Sequence, residues 1–230
     1  MRDWKFMLLT FVMLAAAGRP AAAPVPFESG ERIVFSIKKL MIKAGEGSLV
    51  FHGLTPYKGR RLLHISFKAT ALNFLDMEEI YCDPDTYHPV FVERNLNIWG
   101  KRETIVEDYT SEPGKVIITK TAKGKVTTTV LGKSGRMDNI YCFLYRYRCQ
   151  RQFANPGALR LNLPTADVFL DVTGKKKISA GGRVFEADYL ESQSGEYRLW
   201  FGPAPEFIPL RIDGAIGLGS ASLIMTDYQP

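Results

Sequence analysis

The sequence predicts an all-β fold: a mostly antiparallel curved sheet, an open barrel or a sandwich, with one short helix near residues 138–149. Three observations predict it. Apolar residues alternate with polar ones along most of the chain, turn signals separate these runs at short intervals, and one aromatic stretch without Gly or Pro carries helical spacing instead.

The chain opens with basic Arg2 and Lys5, an uncharged run from Phe6 to Gly18 and small residues through Ala23. That order of charge, apolar run and small residues describes a secretory signal peptide over 1–23, and the run is shorter than the roughly 20 residues that span a bilayer as a helix. Pro24 disfavours a cut after Ala23, so cleavage after Ala17, at Ala15-Ala16-Ala17, is the competing site. No cysteine lies near either site for a lipid anchor. The sequence thus divides into a leader and a single exported β domain over 24–230. Two β halves split near 134–150 are the alternative division. The expected location is the periplasm, with no integral membrane segment after cleavage.

Within the exported part, Ile33, Phe35 and Ile37 share one face of an extended segment, as do Leu63, Ile65, Phe67 and Ala69. Val116 and Ile118 continue the pattern, followed by Val168, Leu170 and Val172, then Leu210 and Ile212. Turns are expected at Pro56–Gly59, Asp83–Asp85, Lys123–Lys125, Gly181-Gly182 and Ser194-Gly195. A long antiparallel sheet either curls or splits into two layers. From Asp138 to Cys149, Ile140, Phe143, Leu144 and Tyr147 fall on one helical face, with Asp138 suited to the positive N-terminal end. Such a helix would plug or cap the sheet.

Composition excludes disorder: 14 Phe and 10 Tyr supply a core. The formal charge of +6 falls to +4 once Arg2, Lys5, Arg19 and Asp3 leave with the leader. That mild basicity suits an anionic envelope surface as well as plain solubility. Nucleic acid is not an expected partner of an exported chain. Of Cys82, Cys142 and Cys149, at least one must lack an intrachain partner. On a helix Cys142 and Cys149 stand about 10 Å apart, beyond disulfide reach. Buried free thiols are the expectation, with Cys82 pairing to either of the others the alternative.

These elements resemble a family of exported bacterial proteins classified only as a domain of unknown function. Phe27-x-x-Gly30-Glu31-x-x-x-Phe35-x-Ile37 is similar to the family's opening strand, and Ala44-Gly45 leading into Leu49-Val50-Phe51 to its second. Asp83–Pro89 is similar to its aspartate and proline-marked return, and Asp138–Arg146 to its aromatic helix ending in arginine. Leu199-Trp200-Phe201 with Pro209-Leu210 is similar to its closing hairpin, with Gly217 after it. The chain departs from the pattern in the run Arg146–Arg151. The resemblance implies an all-β exported domain of this size without an established activity, and it carries over no functional residues.

Catalytic motifs fall short. A phosphate-binding loop ending at Gly132-Lys133-Ser134 has Thr127 where its first glycine belongs, and a nucleophile elbow there has Arg136 at its closing glycine. His52, His64 and His88 are expected as ordinary surface side chains. The strongest candidate for chemistry is the carboxylate group Asp76, Glu78, Glu79, Asp83 and Asp85, which could serve as acid and base or hold a hard cation, though it lacks calcium-loop spacing. Turn formation explains its second half equally well. Lys175–Lys177 is expected at a hairpin tip or sheet edge.

No catalytic set, no metal site and no cofactor is therefore expected, and no ligand-binding residue is assigned. The function that follows is a non-enzymatic envelope protein whose concave sheet binds a lipid, a lipoprotein acyl chain or another apolar ligand. The alternative is a structural or assembly module pairing with another envelope protein through an open strand edge. A carboxylate-dependent hydrolase ranks behind both.

Overall fold

A computed structural model describes residues 27–40, 42–151, 159–214 and 221–230. The expected leader and Gly217 lie outside the described residues. Eight strands precede the helix: β1 (Arg32–Lys39), β2 (Ile42–Tyr57), β3 (Arg60–Ala71), β4 (Phe74–Cys82), β5 (Pro89–Ile98), β6 (Lys101–Asp108), β7 (Lys115–Ala122) and β8 (Lys125–Gly132). The helix α1 (Ile140–Arg151) is followed by β9 (Leu159–Leu163), β10 (Ala166–Ala180), β11 (Arg183–Ser192), β12 (Arg198–Phe201), β13 (Pro209–Asp213) and β14 (Ala221–Gln229).

The fourteen strands among the described residues form one antiparallel sheet in the order β8-β7-β6-β5-β4-β3-β2-β1-β14-β13-β12-β11-β10-β9. Each strand pairs with its chain neighbour except at one place. β1 pairs with β14, from Arg32↔Gln229 to Lys39↔Ala221, and so joins the runs before and after the helix into one surface. The sheet curves without closing: β8 and β9 are its outermost strands, and because β9 pairs only with Ala166–Leu170, the rest of β10 lacks a partner on that side among the described residues. It is the curved, open member of the architectures that the alternation predicts.

The alternation also places the core. Ile33, Phe35, Ile37, Leu63, Ile65, Phe67, Ala69, Val116, Val168, Leu170, Leu210 and Ile212 are all buried. Ile118 and Val172, expected on the same faces, are half-buried. All of the buried ones except Val116 share a hydrophobic cluster with α1. Tyr141 stacks on Phe67 with centroids 4.4 Å apart, Tyr145 meets Phe27 at 4.8 Å and Phe51 at 5.2 Å, and Tyr147 meets Phe201 at 4.3 Å.

The helix differs from its expectation in two respects. It is buried on every side from Ile140 to Arg148 rather than on one stripe, because the curved sheet surrounds it. Its N-terminal cap is Asn139, whose side-chain carbonyl accepts from the Tyr141 N–H at 2.8 Å. The Asp138 carboxylate turns away and takes Arg146 instead. Lys175–Lys177 takes the second of its two expected places: it lies in mid-strand on β10, beyond the stretch that β9 covers, at a sheet edge and not at a tip, with Lys176 3.4 Å above the Tyr189 ring.

Two bonds fix α1 in the hollow. Near its start, Cys142 forms a disulfide with Cys82 at the end of β4, correcting the expectation of free thiols, while Cys149 stays a free, half-buried thiol. Curvature brings the β4 end over the helix, a proximity that sequence spacing does not reveal. Near its end, the fully buried Arg148 guanidinium gives Nη1 and Nη2 to the two Glu31 oxygens at 2.7 and 2.6 Å and Nε to the Glu206 carbonyl at 2.9 Å. Tyr228 adds its hydroxyl to Glu31 at 3.1 Å.

The Cys82–Cys142 link closes a loop across a sequence separation of 60. Chain entropy assigns such a loop about 4 kcal/mol. Reduction under native conditions, or Cys82→Ala with Cys142→Ala, is expected to lower the thermal midpoint by roughly 8–16 °C. Differential scanning calorimetry with and without reductant checks this, and an unchanged midpoint would contradict it.

Candidate functional site

The structure splits the carboxylate group singled out in the sequence three ways, because side chains alternate along β4. Asp76 and Glu78 point into the hollow, Glu79 points out, and Asp83 and Asp85 sit in the turn after the strand. The Asp83 side chain accepts from the Asp85 N–H at 3.2 Å, the Thr86 N–H at 3.0 Å and the Thr86 hydroxyl at 3.0 Å. Burial pushes the Asp83 pKa up, but these bonds outweigh it and hold the carboxyl below its ordinary value. This half of the group is a turn.

The inward half is an ionic cluster. Arg94 on β5 grips Asp76 with Nε and Nη2 at 2.8 and 2.6 Å, and its Nε lies 3.3 Å from Glu78, its cross-strand neighbour. Glu107 on β6 accepts the Tyr109 hydroxyl at 2.5 Å. Glu78, Arg94, Glu107, Tyr109, Asn139 and Tyr141 line a cavity of about 240 Å³. One guanidinium here faces three carboxyls. Burial, with Asp76 and Glu107 adding repulsion, pushes Glu78 up to about 7 against the pull of Arg94. Burial also raises Glu107, opposed by its bond from Tyr109.

The outward half meets the histidines. His64 Nε2 lies 2.6 Å from Glu79 Oε2, and its ring stacks between His52 at 4.3 Å and Tyr81 at 4.8 Å. His52 Nε2 stands 2.8 Å from the Ser66 hydroxyl. This serine–histidine contact is not a relay, because Glu79 orients His64 and not His52. Burial, followed by the neighbouring His64, lowers the His52 pKa.

His64 is half-buried in that stack rather than an open surface side chain, and His88 also differs from its expectation. It is half-buried, with Nε2 3.7 Å from Asp138 Oδ1, and burial followed by the nearby Arg146 charge lowers its pKa. It shares a cavity of about 520 Å³ with Asp85, Arg136, Arg146, Arg160 and Asn162. Among the described residues no group of histidine, cysteine and carboxylate side chains is arranged to hold a metal ion, and no helix is long and apolar enough to cross a membrane.

The two sheet edges differ more than any side-chain cluster. β9 is covered by the segment that leads into α1. The Asp138 N–H donates to the Asn162 carbonyl at 2.7 Å, and the Asp138 carboxylate accepts from the Asn162 N–H at 3.1 Å. The Asn162 amide reaches the Ser134 and Arg136 carbonyls, and Lys133 donates to the Leu163 carbonyl at 2.8 Å. Among the described residues β8 pairs only with β7, and it is exposed from Lys125 to Val130. Its Ala122↔Lys125 closing pair fixes which backbone groups are free: in a two-residue hairpin the flanking pair is hydrogen-bonded, so the N–H and C=O of Val126, Thr128 and Val130 point away from β7. Sequence reasoning passed over β8, since a strand exposed on both faces lacks a one-sided apolar pattern.

No protein-family model and no curated protein matches the chain. Its fold is similar to the crystal structure of a β-barrel-like protein of the domain of unknown function DUF1849 from Brucella abortus, with a TM-score of 0.51 at 9% identity, over 87% of this chain and 97% of that one. The likeness establishes a β-barrel-like fold, shared with a bacterial family of unknown function.

Glu78 makes stability depend on pH. With the carboxyl raised to about 7 in the folded chain and an ordinary value of 4.5, the folded state holds a proton between these values that the unfolded state has lost. Stability therefore falls as pH rises from 4.5 through 7, by roughly 3 kcal/mol for this group. Denaturant titrations at pH 5 and pH 8 measure the difference. Glu78→Gln is expected to remove that component, and an unaltered dependence would contradict the assignment.

Proposed function

We propose that this chain is a non-enzymatic assembly module of the bacterial cell envelope that captures an extended segment of a partner protein on the open edge β8. One observation carries the reading: the opposite side is blunted, β9 by side-chain and backbone bonds and β10 beyond it by Lys175–Lys177, whereas β8 presents eight residues without proline whose outward backbone groups no described residue covers. Proteins ordinarily blunt such edges with proline, bulges, charge or a covering segment, because an uncovered one recruits strands. Here Lys125 is the one charged residue of β8, and Val126 and Val130 are exposed beside three threonines. Strand addition draws affinity from main-chain bonds and specificity from alternate side chains.

The signal-like N-terminus and the Cys82–Cys142 bond support an oxidising, exported setting. The apolar-ligand alternative needs room in the concave face, and there α1 and its aromatic partners occupy the space. The hydrolase alternative needs a second free carboxylate beside Glu78, but Asp76 is held by Arg94 and Glu107 by Tyr109.

Thr128→Pro tests the proposal because its N–H faces outward, so the substitution removes an edge donor while the bonds to β7 remain. A photo-crosslinker at Val130 is expected to give an adduct with an envelope protein in intact cells, and Thr128→Pro is expected to abolish it with the thermal midpoint nearly unchanged. Thr129→Pro, whose N–H serves β7, is expected to lower the midpoint instead. No adduct, or an adduct indifferent to Thr128→Pro, would contradict edge capture, and an adduct of twice the chain's own mass would reassign β8 to self-pairing.

A further inference from the structure

Antiparallel pairing sends alternate turns to the same end of the sheet. At one end, along the run β1–β8, the closing pairs are Lys39↔Ile42, Ala71↔Phe74, Ile98↔Lys101 and Ala122↔Lys125, with the β9–β10 and β11–β12 turns at the same end farther round the sheet. The four tips they close are neighbours two strands apart, about 10 Å each, and form a rim of about 30 Å. Strand register staggers them: the β1–β2 tip projects three residues beyond the Gly45↔Ala71 pair, and the β5–β6 tip two beyond Glu103↔Ala122.

Three of the tips are apolar and fully in solvent. Leu40 and Leu72 are each 84% exposed, Ile42 73% and Trp99 71%, with Ile98 beside it at 39%. Neither the core nor the turn explains them. Leu40 has φ 50° and Trp99 φ 53°, left-handed positions that asparagine or glycine adopts at lower cost. A leucine and a tryptophan held there, projecting into water, are disfavoured by both backbone and solvent.

Charge identifies what covers them. Within two residues of the four turns stand Lys38, Lys39, Lys43, Lys101, Arg102, Lys123 and Lys125, and no aspartate or glutamate. Just beyond that zone, Glu46 binds Lys43 and Glu103 binds Lys120. A tryptophan and aliphatic tips ringed by lysine and arginine match the boundary of an anionic bilayer, where apolar groups enter below the headgroups and cations meet the phosphates.

We propose that this rim docks the protein onto an anionic membrane surface, with Leu40, Ile42, Leu72 and Trp99 inserting and the flanking cations holding the headgroups. The proposal uses the ends of the strands, sharing only the Lys123–Lys125 tip with β8, and does not rest on edge capture. Docking would leave the strands standing on the membrane with β8 free at the side.

Sedimentation with vesicles of phosphatidylglycerol mixed with phosphatidylcholine, compared with phosphatidylcholine alone, tests it on the intact folded protein. Binding is expected to the anionic vesicles only, to weaken as salt rises, and to shift Trp99 emission to the blue with quenching by brominated acyl chains. Leu40→Asn and Trp99→Asn put the residue each turn prefers in place, so the thermal midpoint is expected to hold or rise while partitioning falls about tenfold per tip. Trp99→Asn also identifies the responding fluorophore, since Trp200 is buried and Trp4 lies in the expected leader, absent from the mature chain used in the assay. Equal binding to both vesicles, no emission shift, or partitioning unchanged in the double variant would overturn the proposal. A blue shift that follows protein concentration without vesicles would overturn it in favour of contact between copies.

Discussion

A curved sheet that does not close has an apolar inner face and nothing of its own to cover it; filling that face is the constraint on which the rest of this structure depends. One twelve-residue helix meets it. Because α1 is enclosed, polar side chains that would face water on an ordinary surface helix must find partners inside. Arg148 spans Glu31 and the Glu206 carbonyl, and Arg146 takes Asp138. A buried ion pair is favourable only when its geometry is good and its remaining lone pairs are satisfied, and removing one partner costs about 3–5 kcal/mol. Here Tyr228 supplies an additional donor to Glu31. Glu31 precedes β1 and Tyr228 belongs to β14, so the pair also clamps the seam where the two runs of strands meet.

The same constraint generates the asymmetry of the edges. The segment that carries the chain from β8 into the helix passes along β9 and bonds to it through Asp138 and Asn162. β9 is thereby sealed as a consequence of delivering α1 to the hollow, and lysines guard the stretch of β10 beyond it, while the edge the chain has just left stays open among the described residues. Asp138 does three things at once: it caps an edge through its backbone and side chain, pairs Arg146, and faces His88. The polar cavities flank this segment, and the outer wing formed by β6, β7 and β8 extends past the reach of the helix.

Much of the fold was legible in the sequence, and physical reasons divide what was from what was not. Alternation at Leu63, Ile65, Phe67 and Ala69 identifies an inward face without knowledge of any neighbour, and glycine-bearing turns punctuate the strands. The helix was legible from the aromatic run 138–149. What the helix touches was not: the Arg148–Glu31 and Cys82–Cys142 contacts depend on curvature and register, which no local pattern encodes. The carboxylate group failed as a unit because five acids close in sequence are distributed by strand pleat and turn to an ionic cluster, an outer histidine stack and an Asx turn. His88 looked ordinary because the charged groups that face it, Asp138 and Arg146, are contributed by a distant part of the chain. β8 and the Leu40 and Trp99 tips escaped notice because period and propensity report cores, not exposed apolar residues.

Residue-resolved amide hydrogen exchange on the isolated protein tests the central contrast between the two edges most directly. The Val126, Thr128 and Val130 amides point to solvent and are expected to exchange close to the rate of an unprotected chain. The Asn162 amide, bonded to Asp138, is expected to be slower by orders of magnitude, approaching α1. Slow exchange at Val126, Thr128 and Val130 in the free chain would show that β8 is covered, and would contradict the account of an open edge.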